Sequence, residues 1–491
     1  MKIANRIAYF LLVLVAGFFL FLLISLNLIP DKYLWVAFAV TISLLAIIGT
    51  IDFVYKKKLV HIIMLIITVI GIGLVSYLDY YLYRTNYFIN NLESELKEEV
   101  SYYVLVNSKS SYQDLTELNN KSFGTYSFNS NNYDQAYQLL TEKIKITTED
   151  YNDVNELIDD LLNDNKDALF MSANNYEILK EEITGLEENT KILYEIKVEL
   201  LKDTSTLDGD NENLLEKPFN VFISGIDTSG SINLVSRSDV NIVMTINPQN
   251  NEVVLTSIPR DYYVQLHETT GLKDKLTHAG IYGIDMSVAT VEDLLGIEID
   301  YYVRVNFTTI VKVIDAIGGI DVYSDQAFSE FGYNFKKGMN HLNGQQALMF
   351  ARIRHVFEEG DRKRGEHQQA VIEAVIKKLS SSKILLLNYG NLLDSLSNTF
   401  QTNISTETIQ AFVKKQLDEM PTWQIKTINL DGTGANRNTY SMPSRLLYVL
   451  LPDEDSVAYA KQYIEGVIAG KTVEELDSLL NTETDLTEQE E

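Results

Sequence analysis

The sequence contains no cysteine. That excludes disulfides, thiolate catalysis and cysteine metal sites, and it suits an exported chain that avoids thiol chemistry. Positive charge is also short: 41 lysines and arginines face 68 acids, for a net charge of −27. Nucleic acid is therefore excluded as a general partner, because a phosphate backbone requires a basic surface. There is no zinc-ligand spacing, Walker loop or G-x-S-x-G elbow, and no helix-turn-helix is evident. What remains is a chain of 491 residues, 46% hydrophobic, enough for two or three domains with packed cores.

Three apolar runs open it, over residues 7–28, 34–54 and 59–78. Each has about the 20 residues that cross roughly 30 Å of hydrocarbon as a helix. A cleaved signal peptide does not account for the first, since two further runs follow and no small-residue cleavage site is clear. Lys2 and Arg6 precede the first run, and Lys56, Lys57 and Lys58 separate the second from the third. The loop around Pro30-Asp31-Lys32 is nearly neutral. With basic loops inside, the N-terminus is cytoplasmic, the protein is a multi-pass cell-membrane protein, and the large C-terminal part is extracellular.

The expected organisation is an anchor over 1–80, a stalk and accessory domain over 81–217, a main domain over 218–470, and an acidic, disordered tail over 471–491. The accessory region has no arginine after Arg84. It alternates strands (101–106, 168–171) with a helix over 133–144 that puts Leu139, Leu140 and Ile144 on one face. It reads as a small α/β domain without chemistry of its own. In the main domain 219–223, 240–246, 253–257 and 320–323 read as strands, and 308–317, 344–350 and 365–379 as helices. The fold class is α/β, a mixed sheet flanked by helices.

Arginine is scarce, eleven in all, yet Arg237, Arg260, Arg352, Arg354, Arg362 and Arg364 fall within a quarter of the chain. Arginine suits bidentate phosphate contacts; salt bridging to the many acids is the bland alternative. If extended, Arg352 and Arg354 would share a face about 7 Å apart, the span of two phosphoryl groups. Arg364 and Gln368 share a helix face, and Arg364 lies in a first turn where free N–H groups favour anions. Arg260 follows Pro259 at a strand end. Asp227 and Asp239 lie where the first two strands end and begin, placed to hold Mg²⁺, which takes oxygen ligands and bridges to phosphates. The alternatives are a turn cap for Asp227 and pairing with Arg237 for Asp239. Asp361 is either a helix cap or a base for an incoming hydroxyl. His278 and His355 are weaker candidates.

Eight strings at these residues occur in order: Gly225-Ile226-Asp227, Arg237-Ser238-Asp239, Ser257-Ile258-Pro259-Arg260-Asp261, Lys275-Leu276-Thr277-His278-Ala279, Ala316-Ile317-Gly318-Gly319-Ile320-Asp321-Val322, Leu342-Asn343-Gly344-Gln345-Gln346-Ala347-Leu348, Ala351-Arg352-Ile353-Arg354-His355, and Gly360-Asp361-Arg362-Lys363-Arg364 leading to Gln368-Gln369. From 218 to 379, and more loosely to 470, the chain resembles the LytR-CpsA-Psr family. The three spans and the acidic domain before the motifs resemble its capsule-type members. The resemblance implies transfer of a glycopolymer from undecaprenyl pyrophosphate to a peptidoglycan hydroxyl, leaving a phosphodiester. It also implies Mg²⁺ and an apolar groove for the polyprenyl chain between sheet and helices. Carried over by motif, Asp227 and Asp239 match metal-side acids. Arg237, Arg260, Arg352, Arg354, Arg364 and Gln368 match a pyrophosphate clamp, with Lys275 a frequent basic position beside it. Arg260, Arg352, Arg354 and Asp361 are the expected catalytic set. His367 and Thr277 depart from the pattern, standing where arginine and asparagine are common.

Three other readings compete. Transcriptional regulation is opposed by topology and charge. A non-catalytic binder of lipid-linked polysaccharide, acting on capsule assembly through other membrane proteins, would use the same arginines. A pyrophosphatase would put water in place of the sugar hydroxyl.

Overall fold

The computed structural model describes residues 2–55, 57–90, 97–127, 132–201, 216–226, 232–330, 332–353, 357, 361–379 and 400–487. Three helices, Lys2–Leu26, Asp31–Val54 and Lys58–Asn90, match the three apolar runs. Each is long and apolar enough to cross a membrane. The third has 33 residues and is about 50 Å long at the α-helical rise, so the expected stalk is its continuation beyond the span. The start of the second helix touches the main domain: Lys32 Nζ lies 2.6 Å from Asp418 Oδ1, and Lys414 Nζ 3.0 Å from Asp31 Oδ1.

The accessory domain is a five-stranded sheet built from Lys97–Asn107, Lys121–Tyr126, Ile146–Asp150, Ala168–Ser172 and Thr190–Leu201. Its central strand, Ala168–Ser172, is buried along its whole length. The helices Tyr133–Thr141, Val154–Leu162 and Ala173–Glu182 cover it. The first of these stops three residues short of the expected 144, although Ile144 is buried with Leu140 in the same core as expected.

The main domain holds a six-stranded mixed sheet. Its order is Phe400–Thr402, Tyr301–Asn306, Phe219–Ile226, Ser238–Asn247, Glu252–Ser257, Gln424–Asn429. Two neighbouring pairs are parallel, 219–226 with 301–306 and 252–257 with 424–429. Alternation along the strands separates two cores. Phe222, Val243 and Val254 pack with Val288, Val291, Tyr463 and Ile464 on one face. Ile242, Val253 and Leu255 pack with Ile372 and Ile376 on the other. The helix Asp361–Leu379 is tied to that second face by Gln369, whose Nε2 donates to the carbonyls of Leu255 (3.1 Å) and Ile428 (2.8 Å).

The expected disordered tail is a correction. Val473–Thr487 is helical, because Val473, Leu476 and Leu480 recur at helical spacing and pack against the first core. The main domain therefore extends beyond 470. Gly318 and Gly319, at φ +77° and +82°, end the helix Phe307–Ala316 as expected, in the left-handed region that glycine enters without strain.

Candidate active site

The strand ends meet at one edge of the sheet. Phe219–Ile226, Tyr301–Asn306, Glu252–Ser257 and Gln424–Asn429 finish there, and Ser238–Asn247 begins there. In open α/β sheets ligands bind in the crevice outside such ends. Loop residues that follow the strands carry the charged side chains. Arg260 comes three residues after Ser257, and Gly280 lets the 276–282 turn close on Arg237. A Cβ on Gly280 would lie 2.6 Å from Ser236 O and Ser238 N.

The result is a buried charge cluster. Arg260 Nη1 lies 3.0 Å from Asp239 Oδ2, and Thr277 Oγ1 donates to Asp239 Oδ1 at 2.9 Å. Arg260 Nε is 3.7 Å from Asp261 Oδ2, and Lys275 Nζ is 3.2 Å from Asp261 Oδ1. Arg237, Arg260, Lys275, Asp261 and Arg364 are each no more than 7% exposed. Burial alone would raise the Asp239 carboxyl, but the guanidiniums of Arg260, Arg237 and Arg364 hold it far below the usual carboxylate range. The same contest, with Arg260, Lys275 and Arg364 prevailing over burial, keeps Asp261 ionised. Burial works against the charge on Arg237, and Asp239 and Glu181 restore it, so its pKa is raised.

Beside the cluster lies a cleft lined by Asp239, Ser257, Pro259, Arg260, Arg364, Gly365, Gln368, Asn429 and Leu430. A side chain at Gly365 would put a Cβ 3.1 Å from Ser257 Oγ, so glycine lets the helix start approach the strand end. The Oδ1 of Asn429 is buried with no hydrogen-bond partner among the described residues. An unpaired buried acceptor is costly, and here it borders the cleft. The chemistry on offer is recognition of a multiply charged oxyanion, with arginine forks and a lysine in a dry setting where charge interactions are strong.

The LytR_cpsA_psr family model matches residues 176–450, more than half of the chain. The chain belongs to that family. Its relatives include the polyisoprenyl-teichoic acid–peptidoglycan teichoic acid transferase TagU of Bacillus anthracis, 39% identical over 206 residues, which are 41% of this chain and 67% of the relative. A protein of the same name from Enterococcus faecalis is 36% identical over 222 residues, 45% of this chain and 72% of the relative. Among solved structures, B. subtilis TagV is 32% identical, with a TM-score of 0.43, covering 52% of this chain and 99% of that one.

The structure brings together Arg237, Asp239, Arg260, Lys275, Arg364 and Gln368 of the residues that the family motifs single out. Asp227 and Arg354 lie outside the described residues, as do His355 and the side chains of Asp361 and Arg362. Arg352 does not have the extended geometry considered for it. It is the last residue of the helix Gly344–Arg352, and its guanidinium lies over the Phe307 ring, 4.4 Å from the centroid. The capping box of Asn343 and Gln346 starts that helix, and nothing breaks it before Ile353. His278 is structural: its Nδ1 contacts Asp274 Oδ1 at 2.6 Å and Ser441 Oγ at 2.8 Å. His367 sits among Phe328, Phe350 and Phe357, where burial, aided by Lys363, pushes its pKa down to about 4.

Sequence reasoning missed Asp261, Asn429 and Glu181. Asp261 stood in a quoted motif without a role. Asn429 reaches the site only through a strand pairing with 252–257, far away in sequence. Glu181 comes from the accessory domain, where acids read as solvated surface. Arg304, also within the arginine-rich stretch, is 1% exposed and donates to Gln401 Oε1 and the Leu234 carbonyl at 3.2 and 2.9 Å, a structural arginine.

Proposed function

We propose that this chain transfers a glycopolymer from a polyprenyl pyrophosphate carrier to a hydroxyl of peptidoglycan, forming a phosphodiester. The observation that carries the reading is a cleft at the sheet edge lined by Arg260, Arg364 and Gln368, with Arg237 and Lys275 buried behind it in the same charge cluster. The named activity of the TagU relatives supports it. The acceptor hydroxyl attacks the phosphorus bonded to the sugar. The bond from that phosphorus to the bridging oxygen breaks, and polyprenyl phosphate leaves with the electron pair. Charge grows on the phosphoryl oxygens and on the bridge, and fixed cations in a water-poor site stabilise it. Arg260 and Arg237 serve the equatorial oxygens and Arg364 with Gln368 the leaving phosphate. Asp361, first residue of its helix, is the base that accepts the hydroxyl proton.

The donor chemistry suits a hard divalent cation. Asp239 stays ionised, and Mg²⁺ needs only one or two protein carboxylates when substrate phosphates complete its shell. Among the described residues no set of three His, Asp or Glu side chains forms an all-protein metal site. Asp239, with Asp227, would hold Mg²⁺, which when bound would neutralise charge on the phosphoryl oxygens. Half-buried Ile223, Val240, Ile372 and Ile376 around the second core offer an apolar wall for the polyprenyl chain.

We read the polymer as capsular polysaccharide, because the accessory domain and three-span anchor resemble the capsule-type members. The same resemblance and the loop charges support an extracellular main domain. The test is incubation of the purified full chain with lipid-linked polymer, peptidoglycan and Mg²⁺. A phosphodiester-linked product supports the reading. Binding without product identifies a non-catalytic binder, and phosphate release without acceptor identifies a pyrophosphatase.

A further inference from the structure

The accessory domain enters the charge cluster through one helix. Ala173–Glu182 is capped by Ser172, whose side chain accepts from Asn175 N, and its last turn carries Glu181 and Glu182 to the site. Glu181 Oε1 lies 2.9 Å from Arg237 Nη1, and its Oε2 lies 3.9 Å from Arg260 Nη2. Glu182 Oε1 is 4.0 Å from Lys275 Nζ. The helix is held against the main domain: Arg445 donates to Asn155 Oδ1 at 2.9 Å and to the Glu182 carbonyl at 2.6 Å. Ile178 and Leu179 are buried in one core with Ile281, Met442 and Leu447.

Two arginines that the proposed function assigns to pyrophosphate therefore already grip an oxyanion of their own chain. A carboxylate with one oxygen turned to each of two guanidiniums offers them what a phosphoryl group offers. The described acids of the cluster come from both domains, Asp239 and Asp261 from the main domain and Glu181 and Glu182 from the accessory domain. Glu181 is the loosest member of the set. Its side chain is 41% exposed, whereas those of Arg237 and Arg260 are 8% and 7% exposed, so it can swing out while the arginines stay.

We propose that the Glu181 carboxylate occupies one phosphoryl position of the ligand-free site, and that the substrate pyrophosphate binds by displacing it. This rests on the reading of the arginine cluster as a pyrophosphate clamp. Glu181 is then a specificity-determining residue. A pyrophosphate carries more charge than one carboxylate and outcompetes it. A phosphodiester, with a single negative charge, does not, so Glu181 favours release of the product. The accessory domain thereby acquires a function in the transfer site.

The test titrates the full-length protein, in detergent or nanodiscs, with inorganic pyrophosphate and with dimethyl phosphate by calorimetry. Glu181→Gln keeps the shape and removes the charge. It is expected to bind pyrophosphate about tenfold tighter than the unaltered protein and to gain measurable affinity for the phosphodiester. Glu182→Gln, which lies 4.0 Å from Lys275, should change binding less. Arg260→Lys should weaken pyrophosphate binding in either background. If Glu181→Gln binds pyrophosphate equally or more weakly while Arg260→Lys still matters, Glu181 positions the arginines and the displacement proposal is wrong. If pyrophosphate binds to neither form, or Arg260→Lys has no effect on it, the clamp reading itself fails and takes the proposal with it.

Discussion

Arg260 Nη1 and Asp239 Oδ2 are 3.0 Å apart, and both side chains are largely withdrawn from water, at 7% and 11% exposure. This pair binds the site to the fold. Asp239→Ala removes a buried counter-charge that Arg260 and Arg237 share, and breaking a buried pair typically costs about 3–5 kcal/mol. Thermal unfolding of the full chain should show that loss. Asp239→Asn keeps the shape and the Thr277 contact and should lose less stability. Both variants should lose Mg²⁺-dependent transfer, and Mn²⁺ binding in the presence of pyrophosphate, followed by electron paramagnetic resonance, should weaken in parallel. Unchanged Mn²⁺ binding in Asp239→Asn would remove this residue from metal binding.

Arg260→Lys preserves charge and discards the planar fork that meets Asp239 and Glu181. Loss of one charge-assisted pair, about 1.5–3 kcal/mol, predicts roughly 10- to 100-fold slower transfer. Arg352→Lys tests a different geometry. Its guanidinium stacks on Phe307 at a helix end, a contact of about 0.5–1 kcal/mol when exposed. Its melting temperature should scarcely move. A tenfold or greater loss of transfer at unchanged stability would assign Arg352 to substrate, and unchanged transfer would leave it a surface residue.

His367 supplies a pH test. Its folded pKa is pushed from the ordinary 6.5 down to about 4, by burial first. The unfolded chain therefore binds the proton first on acidification. The stability held by neutral His367 is complete above about pH 6.5 and is lost as pH falls toward 4. A shift of this size corresponds to about 3 kcal/mol. Unfolding midpoints measured from pH 7.5 to 4.5 should fall less steeply in His367→Phe, whose ring suits a pocket formed by Phe328, Phe350 and Phe357. Equal slopes would mean that the histidine keeps water in the native state.

Much of this arrangement was legible in the sequence because its signals are local. The apolar runs set the three helices, the apolar run 240–246 marked the strand Ser238–Asn247, and the Gly318-Gly319 stop ended the helix Phe307–Ala316 in place. Arg260 and Arg364 stood out because arginine is rare in an acidic chain. What stayed hidden depends on long-range contact. Asn429 joins the site through its pairing with Ser257, and Glu181 through docking of a separate domain. The helix Val473–Thr487 was hidden by its acids, which conceal a buried apolar stripe.

The anchor gives the last prediction. The first turn of the helix Asp31–Val54 touches the helix Thr406–Glu419 through Lys32–Asp418 and Lys414–Asp31. If the three helices span a membrane, this contact puts the main domain on the side where the second helix begins, and the expected position of Lys57 is the opposite side. Exposed pairs of this kind add little stability, but their geometry constrains topology. The absence of cysteine allows a clean measurement, because any introduced thiol is the only one. Asp31→Cys and Glu454→Cys, in intact cells, should both react with a membrane-impermeant maleimide. Lys57→Cys should react only after permeabilisation. Labelling of Lys57→Cys in intact cells, with protection of the other two, would invert the orientation. A main domain inside the cell would be cut off from peptidoglycan, and the transferase reading would fall with it.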